Sequence, residues 1–233
     1  MSGKTLGERV QTLGMEKAVQ MLNRDPDKNL PKIMDWVDRI TDEDVLTSQR
    51  AMVREMIGDP GNIWYQFMKS LWTDIDDGVR ERAFQNFLVN ACLMGMSRQE
   101  KAKKDPTSAC NLSCIGCWAA EYGHQLQMSY ETLDSIIRQG KELGTFMYIY
   151  SGGEPLVRKK DILRLCEVHD DCMFLAFTNG TLIDDDFADE MLRVKNFIPA
   201  ISIEGYEQET DARRGAGTYR SVVRAMEILR ERR

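Results

Sequence analysis

The sequence predicts an α/β protein: a parallel sheet, open or curled into a barrel, preceded by an all-α N-terminal region. Two observations carry this. Short apolar runs start near residues 146, 173 and 197, about every 25 residues, each separated from the next by a helical pattern, and that cadence implies βαβ units. Residues 1 to about 100 show no such runs and place apolar residues at helical spacing.

In the N-terminal region, Ile33, Trp36, Val37 and Ile40 fall at i, i+3, i+4 and i+7, an amphipathic helical stripe. Thr41 caps a next helix whose first turn carries Asp42, Glu43 and Asp44 at the positive end of its dipole. Asp59-Pro60-Gly61-Asn62 is a turn, Ile63 to Trp72 is helical, and Asp76-Asp77-Gly78 interrupts the chain again. The aromatics Trp64, Tyr65, Phe67, Trp72, Phe84 and Phe87 read as core or docking surface, and Cys92 as a buried small hydrophobe. Ser97 to Pro106 is polar, basic and ended by proline, which suits a linker or a helix end better than a strand.

From residue 129 the elements alternate. Ser129 precedes a helix with Leu133, Ile136, Ile137, Gly140 and Leu143 on one face, closed by Gly144. Phe146 to Tyr150 is a buried strand, Lys159 to about His169 a helix, and Met173 to Phe177 a second strand. Asp184 to Arg193 is helical, Phe197 to Ile203 is a third strand, and Thr218 caps a final helix bearing Val222, Val223, Met226 and Leu229.

Composition bounds the function. The 233 residues, 42% apolar and 29% charged, form an ordinary globular chain able to bury a sizeable core. A net charge of −6 argues against a general nucleic-acid or anionic-membrane binder. No apolar run approaches the roughly 18 residues of a membrane span. The N-terminal MSGKTLGERVQTLG has no apolar signal core, so a cytoplasmic protein is expected. In that reducing compartment the six cysteines, Cys92, Cys110, Cys114, Cys117, Cys166 and Cys172, are metal ligands or buried thiols rather than a disulfide framework.

Three of them stand together in Cys110-x3-Cys114-x2-Cys117-Trp118. Such a dense thiolate trio suits one compact soft-metal centre. It is one ligand short of a closed tetrahedral zinc site or a fully protein-ligated 4Fe-4S cluster. Either a fourth ligand comes from elsewhere, His124 being a candidate, or one coordination position is open. Cys166 and Cys172 flank a helix–strand junction and read as buried; His169 reads as an exposed helix end.

Parallel sheets build their sites at the carboxyl ends of strands. There the three strands run into Ser151-Gly152-Gly153-Glu154-Pro155, Thr178-Asn179-Gly180-Thr181 and Ser202-Ile203-Glu204-Gly205. Paired glycines let a ligand approach the backbone, and Glu154 adds a carboxylate able to accept from a cationic amine.

Taken in order, the cysteine stretch and these three loops resemble the radical S-adenosylmethionine (radical SAM) superfamily of the CxxxCxxC type, over residues 107 to 233. The resemblance implies a partial (βα)n radical SAM barrel at 107–233 behind a helical region at 1–100. It also implies a 4Fe-4S cluster held by Cys110, Cys114 and Cys117, with the fourth iron chelated by the amino and carboxylate groups of S-adenosylmethionine. An electron from the reduced cluster then cleaves the cofactor to methionine and a 5′-deoxyadenosyl radical, which abstracts hydrogen from a substrate that the sequence does not name. By position, Gly152, Gly153 and Glu154 would hold the methionine amino group and Trp118 would lie near the adenine. Asn179 and Ser202 would meet the ribose or methionine end, and Arg213 or Arg214 the methionine carboxylate unless they are a solvated pair. A reductant such as flavodoxin or ferredoxin is the implied partner.

Two departures from the family pattern bear on these expectations. Lys101 to Pro106 is a poor first strand, leaving room only for a distorted one. About three clear βα units precede Arg233 where such barrels commonly have six, so a truncated or internally deleted member is expected. The alternatives from the cysteines alone are a zinc-binding interaction module and a simple electron-transfer iron–sulfur protein.

Overall fold

Four parallel strands in the order β1-β2-β3-β4 form the sheet that carries the C-terminal part of the chain. The structure, a computed structural model, describes residues 14, 17–40, 47–84, 86 and 102–232. The chain divides into two compact units, Met1–Glu81 and Arg82–Arg233.

In the first unit, residues 17–24 are helical and precede α1 (Pro26–Ile40), α2 (Thr47–Gly58), α3 (Ile63–Thr73) and α4 (Asp77–Ala83), which runs across the boundary. The turn before α3 is as the sequence suggests: Asn62 accepts from the amides of Trp64 and Tyr65 and caps the helix. The break at Asp76 is likewise a cap, its carboxylate accepting from the amides of Gly78 and Val79. The aromatics divide. Tyr65 is buried, whereas Trp64 and Phe67 are exposed and meet edge-to-face. Thr41 to Asp44, Phe87 and Cys92 lie outside the described residues.

The second unit places β1 (Ala102–Thr107) where the sequence reads as a linker, and that expectation is corrected. β1 pairs with β2 (Met147–Gly152) through Lys103↔Ile149, Lys104↔Tyr150 and Thr107↔Gly152, with an irregularity between Lys104 and Thr107. An edge strand is paired on one side only, so it needs no alternating apolar pattern. A bulge at the edge also tolerates Pro106, which has no N–H for the ladder. β3 (Met173–Thr178) and β4 (Phe197–Ile201) complete the sheet.

Between the strands run α5 (Tyr130–Glu142), α6 (Lys159–Val168) and α7 (Asp185–Val194); α8 (Glu207–Arg214) and α9 (Thr218–Glu231) follow β4. Ser129 caps α5 and Asp184 caps α7. Tyr148, Tyr150, Phe174, Ala176 and Phe197 form one core with Leu133, Ile137, Ile162, Leu165, Phe187 and Ala225 from the helices. Phe174 stacks between Tyr148 and Tyr150, each at 5.8 Å. A fully buried side chain of this size stabilises by about 1.5–3 kcal/mol. Phe177 and Ile198, of opposite strand parity to Phe174 and Phe197, are exposed on the other face of the sheet.

Two further expectations are corrected. His169 is 2% exposed, not a solvated helix end, because its Nε2 pairs at 2.8 Å with Asp134 on α5. Thr218 does not cap α9. The Asp211 carboxylate takes that role, accepting from the amides of Gly217 and Tyr219 at 2.7 and 2.8 Å, while Thr218 Oγ1 donates to the Arg214 carbonyl. Cys166 and Cys172 are fully buried, as expected.

Candidate functional site

The loop after β1 carries the three cysteines, and three separate attachments hold it over the carboxyl end of the sheet. The first is to the strand beside it. The Gly153 amide donates to the Thr107 carbonyl at 3.0 Å and the Glu154 amide to the Ala109 carbonyl at 2.8 Å, extending the β1–β2 pairing into the loop. A Cβ on Gly153 would meet the carbonyl oxygens of Ala109 and Ser108 at 2.3 and 2.4 Å. One on Gly152, whose φ is +105°, would meet that of Thr107 at 2.5 Å. The glycine pair is therefore demanded by the protein's own backbone, which lies where the sequence suggested a ligand would approach.

The second attachment is to the loop after β3. Asn179 Nδ2 donates to Asn111 Oδ1 at 2.9 Å, and Asn111 Nδ2 donates to Thr181 Oγ1 at 2.8 Å. The third is to the end of α8, where the Ile115 amide donates to the Arg213 carbonyl at 2.8 Å. Within the loop, the Cys117 amide donates to the Cys114 carbonyl, Gly116 takes a φ of +69°, and a 3-10 turn spans Trp118–Tyr122.

A cavity of ≈ 160 Å³ opens between these parts. It is lined by the three loop cysteines, Trp118, Gly152–Glu154, Asn179 and Ser202, which therefore share one space. Ser151, Phe177, Thr178, Arg213 and Arg214 complete its wall. The three thiols are half-buried, and burial raises Cys110 above the ordinary thiol value although the Leu112 amide donates to its sulfur. Among the described residues, no three Cys, His, Asp or Glu side chains stand close enough to ligate one metal ion. His124 does not line the cavity. Trp118 is exposed and meets Tyr122 edge-to-face.

Glu154 is 1% exposed, and its carboxylate knots two loops together. Oε1 accepts from the Leu156 amide at 2.9 Å and from the Thr178 hydroxyl at 2.7 Å; Oε2 accepts from the Asn179 amide at 2.7 Å. Burial still raises this carboxyl above the usual range, with the three hydrogen bonds and Arg214 pulling the other way. Oε2 retains acceptor capacity for one more donor, so an arriving cation would favour the ionised form.

Asn179 is more committed to protein than its sequence position suggested, since Oδ1 accepts from both the amide and the hydroxyl of Thr181. The two arginines share a carboxylate: Arg213 Nη1 and Arg214 Nη2 both reach Glu204 Oε1 at 2.6 Å. Those guanidinium groups hold the Glu204 carboxyl below its usual range. Sequence reasoning missed Asn111 as a brace, although it directly follows Cys110. It also missed Arg158, whose Nη1 donates to the carbonyls of Pro106 and Met128 and pins the end of β1. No local pattern marks that role, because both carbonyls are distant in sequence.

Known proteins resemble parts of this chain. An uncharacterized protein of Archaeoglobus fulgidus is 36% identical over 128 residues, covering 54% of this chain and 31% of that protein. Fe-coproporphyrin III synthase of Methanosarcina barkeri is 29% identical, covering 54% and 32%. Mycofactocin maturase MftC of Mycobacterium ulcerans is 30% identical, covering 53% and 34%. The chain thus spans about a third of the length of the curated relatives it matches. Among solved structures, native anSMEcpe with bound AdoMet matches with a TM-score of 0.48 and 25% identity, over 55% of this chain and 40% of that one. Streptococcus suis SuiB bound to S-adenosylmethionine matches with a TM-score of 0.48 and 18% identity, over 81% and 44%. The family model of the radical SAM superfamily matches residues 105–233, more than half of the 233, and the chain belongs to that superfamily.

Proposed function

We propose that the chain carries the cofactor site of a radical SAM enzyme, with the catalytic core at 107–233 and a separate helical region at 1–100. Cys110, Cys114 and Cys117 would each ligate one iron of a 4Fe-4S cluster, leaving the fourth iron to S-adenosylmethionine. When bound and reduced, such a cluster would supply the electron for cleaving the sulfonium carbon–sulfur bond, which would give methionine and a 5′-deoxyadenosyl radical able to take hydrogen from a substrate.

One observation carries this reading: three thiols and the Gly152–Glu154 loop line the same cavity. The donor set fits a soft-metal cluster with one coordination position to spare. The spare acceptor capacity of Glu154, with the backbone at Gly152 and Gly153, suits a cationic amino group. Trp118 offers an exposed ring for the adenine, and Ser202 with the second Nδ2 hydrogen of Asn179 suits the ribose or methionine end. The protein's part is to bind, orient and shield.

A reductant of the flavodoxin or ferredoxin kind is required, and the free thiols suit the cytoplasm. Among the described residues no helix is long and apolar enough to cross a membrane. The substrate is a separate layer on such a scaffold.

Anaerobic reconstitution tests the assignment. A brown protein whose cluster EPR signal changes on adding S-adenosylmethionine, and which then releases 5′-deoxyadenosine, is expected. One zinc per chain, or a cluster blind to S-adenosylmethionine, would point instead to the interaction-module or electron-transfer alternative.

A further inference from the structure

Resting on that cluster reading, we propose that Glu204 is a positioning residue: through Arg213 it fixes the cysteine loop and sets the charge beside the cluster. The loop contacts α8 through Ile115, which stands between Cys114 and Gly116. The Ile115 amide donates to the Arg213 carbonyl at 2.8 Å, and Arg213 Nε donates back to the Ile115 carbonyl at 3.3 Å. Residue 213 is thus joined to the loop by both its backbone and its side chain.

What aims that side chain is Glu204. Its Oε1 takes Arg213 Nη1 at 2.6 Å and Arg214 at 2.6 and 3.1 Å, while its own amide donates to Oγ1 of the fully buried Thr210 at 3.3 Å. The backbone of Glu204 is thus tied to α8, and both guanidinium groups are folded onto its carboxylate. Arg213 and Arg214 also line the cysteine cavity. The three groups sum to one positive charge beside the thiolates. Glu204 therefore offsets half the positive field that the arginines would otherwise impose.

Charge and scaffold separate experimentally. On the reconstituted protein, an EPR-monitored potential titration of Glu204→Gln should favour the reduced cluster by roughly tenfold at fixed potential, about 59 mV for one electron. Arg213→Gln should shift it the opposite way. A merely structural role would move both variants in one direction, and that result overturns the charge half of the proposal.

The scaffold half is read on the metal-free full chain by hydrogen exchange at the Ile115 amide. That amide should be protected in the parent and exchange about five- to tenfold faster in Glu204→Gln, as expected when a local hydrogen-bonded contact is loosened. Sheet amides such as Phe174 should be unchanged. If Glu204→Gln fails to fold, Arg213→Lys decides: it keeps the charge and loses the Nε donor, so Ile115 should exchange faster with the potential near the parent's. Unaltered Ile115 exchange overturns the clamp. A parent chain that assembles no S-adenosylmethionine-responsive cluster overturns the functional reading instead, and the exchange result still judges the clamp.

Discussion

The carboxyl end of the sheet holds Cys110, Cys114 and Cys117, half-buried around a cavity, whereas the amino end holds Cys166 and Cys172, sealed in the core. Burial pushes both core thiols well above the ordinary value. The surrounding polar groups are spent on backbone. Asn196 Nδ2 lies within 2.9 to 3.2 Å of the carbonyls of Cys166, His169 and Cys172, and Asn86 Nδ2 donates to Cys172 as well. At the other end, backbone amides and side chains bind the loop to its neighbours and leave its thiols facing space. One residue type therefore stands in two settings in one unit, spaced along an open loop at one end and more deeply desolvated at the other.

The largest effect that could break this contrast is loss of the proposed cluster. Cys114→Ala should abolish the brown absorbance and iron binding after reconstitution, while Cys166→Ala should retain both. Equal iron loss in the two variants would erase the distinction between the ends.

Next is the packing that holds the cavity end. Gly153→Ala drives a Cβ into two carbonyl oxygens and should cost about 3 kcal/mol or more by denaturant unfolding. Gly116→Ala meets nothing within 4 Å and carries only the strain of a φ of +69°, about 1 kcal/mol. Equal costs would mean that the loop does not press on β2.

At the amino end, Asn196→Ala strips a donor from buried carbonyls and should cost about 2 kcal/mol without altering cluster content. The smallest effect is one of pH. The folded state holds the Cys166 and Cys172 protons more tightly than the unfolded chain does. Their contribution to stability is therefore intact below the ordinary thiol value of 9.0 and falls as the pH rises past it, by about 1.4 kcal/mol per unit for each thiol. Unfolding free energies measured from pH 8 to 10.5 should fall in the parent and fall less steeply in Cys166→Ala, with Cys110 and the buried tyrosines Tyr148 and Tyr150 contributing the remaining slope.

Much of this architecture was legible in sequence. The spacing of the cysteines, the three apolar strands and the caps at Ser129 and Asp184 are local patterns, and each emerged within a residue or two of where it was read. β1 was not legible, because Lys103, Lys104 and Pro106 resemble a linker until β2 supplies their partner. His169 looked solvated because Asp134, which pairs with it, is 35 residues away. The cap of α9 was misassigned because a carboxylate from the preceding helix reaches its amides before Thr218 can.

The sequence by itself determined the chemistry on offer: three soft ligands in one short loop, a carboxylate behind two glycines, and strands that end in polar turns. Only the tertiary structure decided how those pieces are used. It presses Gly152 and Gly153 against the loop's own backbone, makes Glu154 a knot between two loops, and folds Arg213 onto Glu204 beside the thiols. The reason is physical: spacing along the chain sets which groups can meet locally, whereas desolvation and long-range hydrogen bonding exist only once distant segments pack.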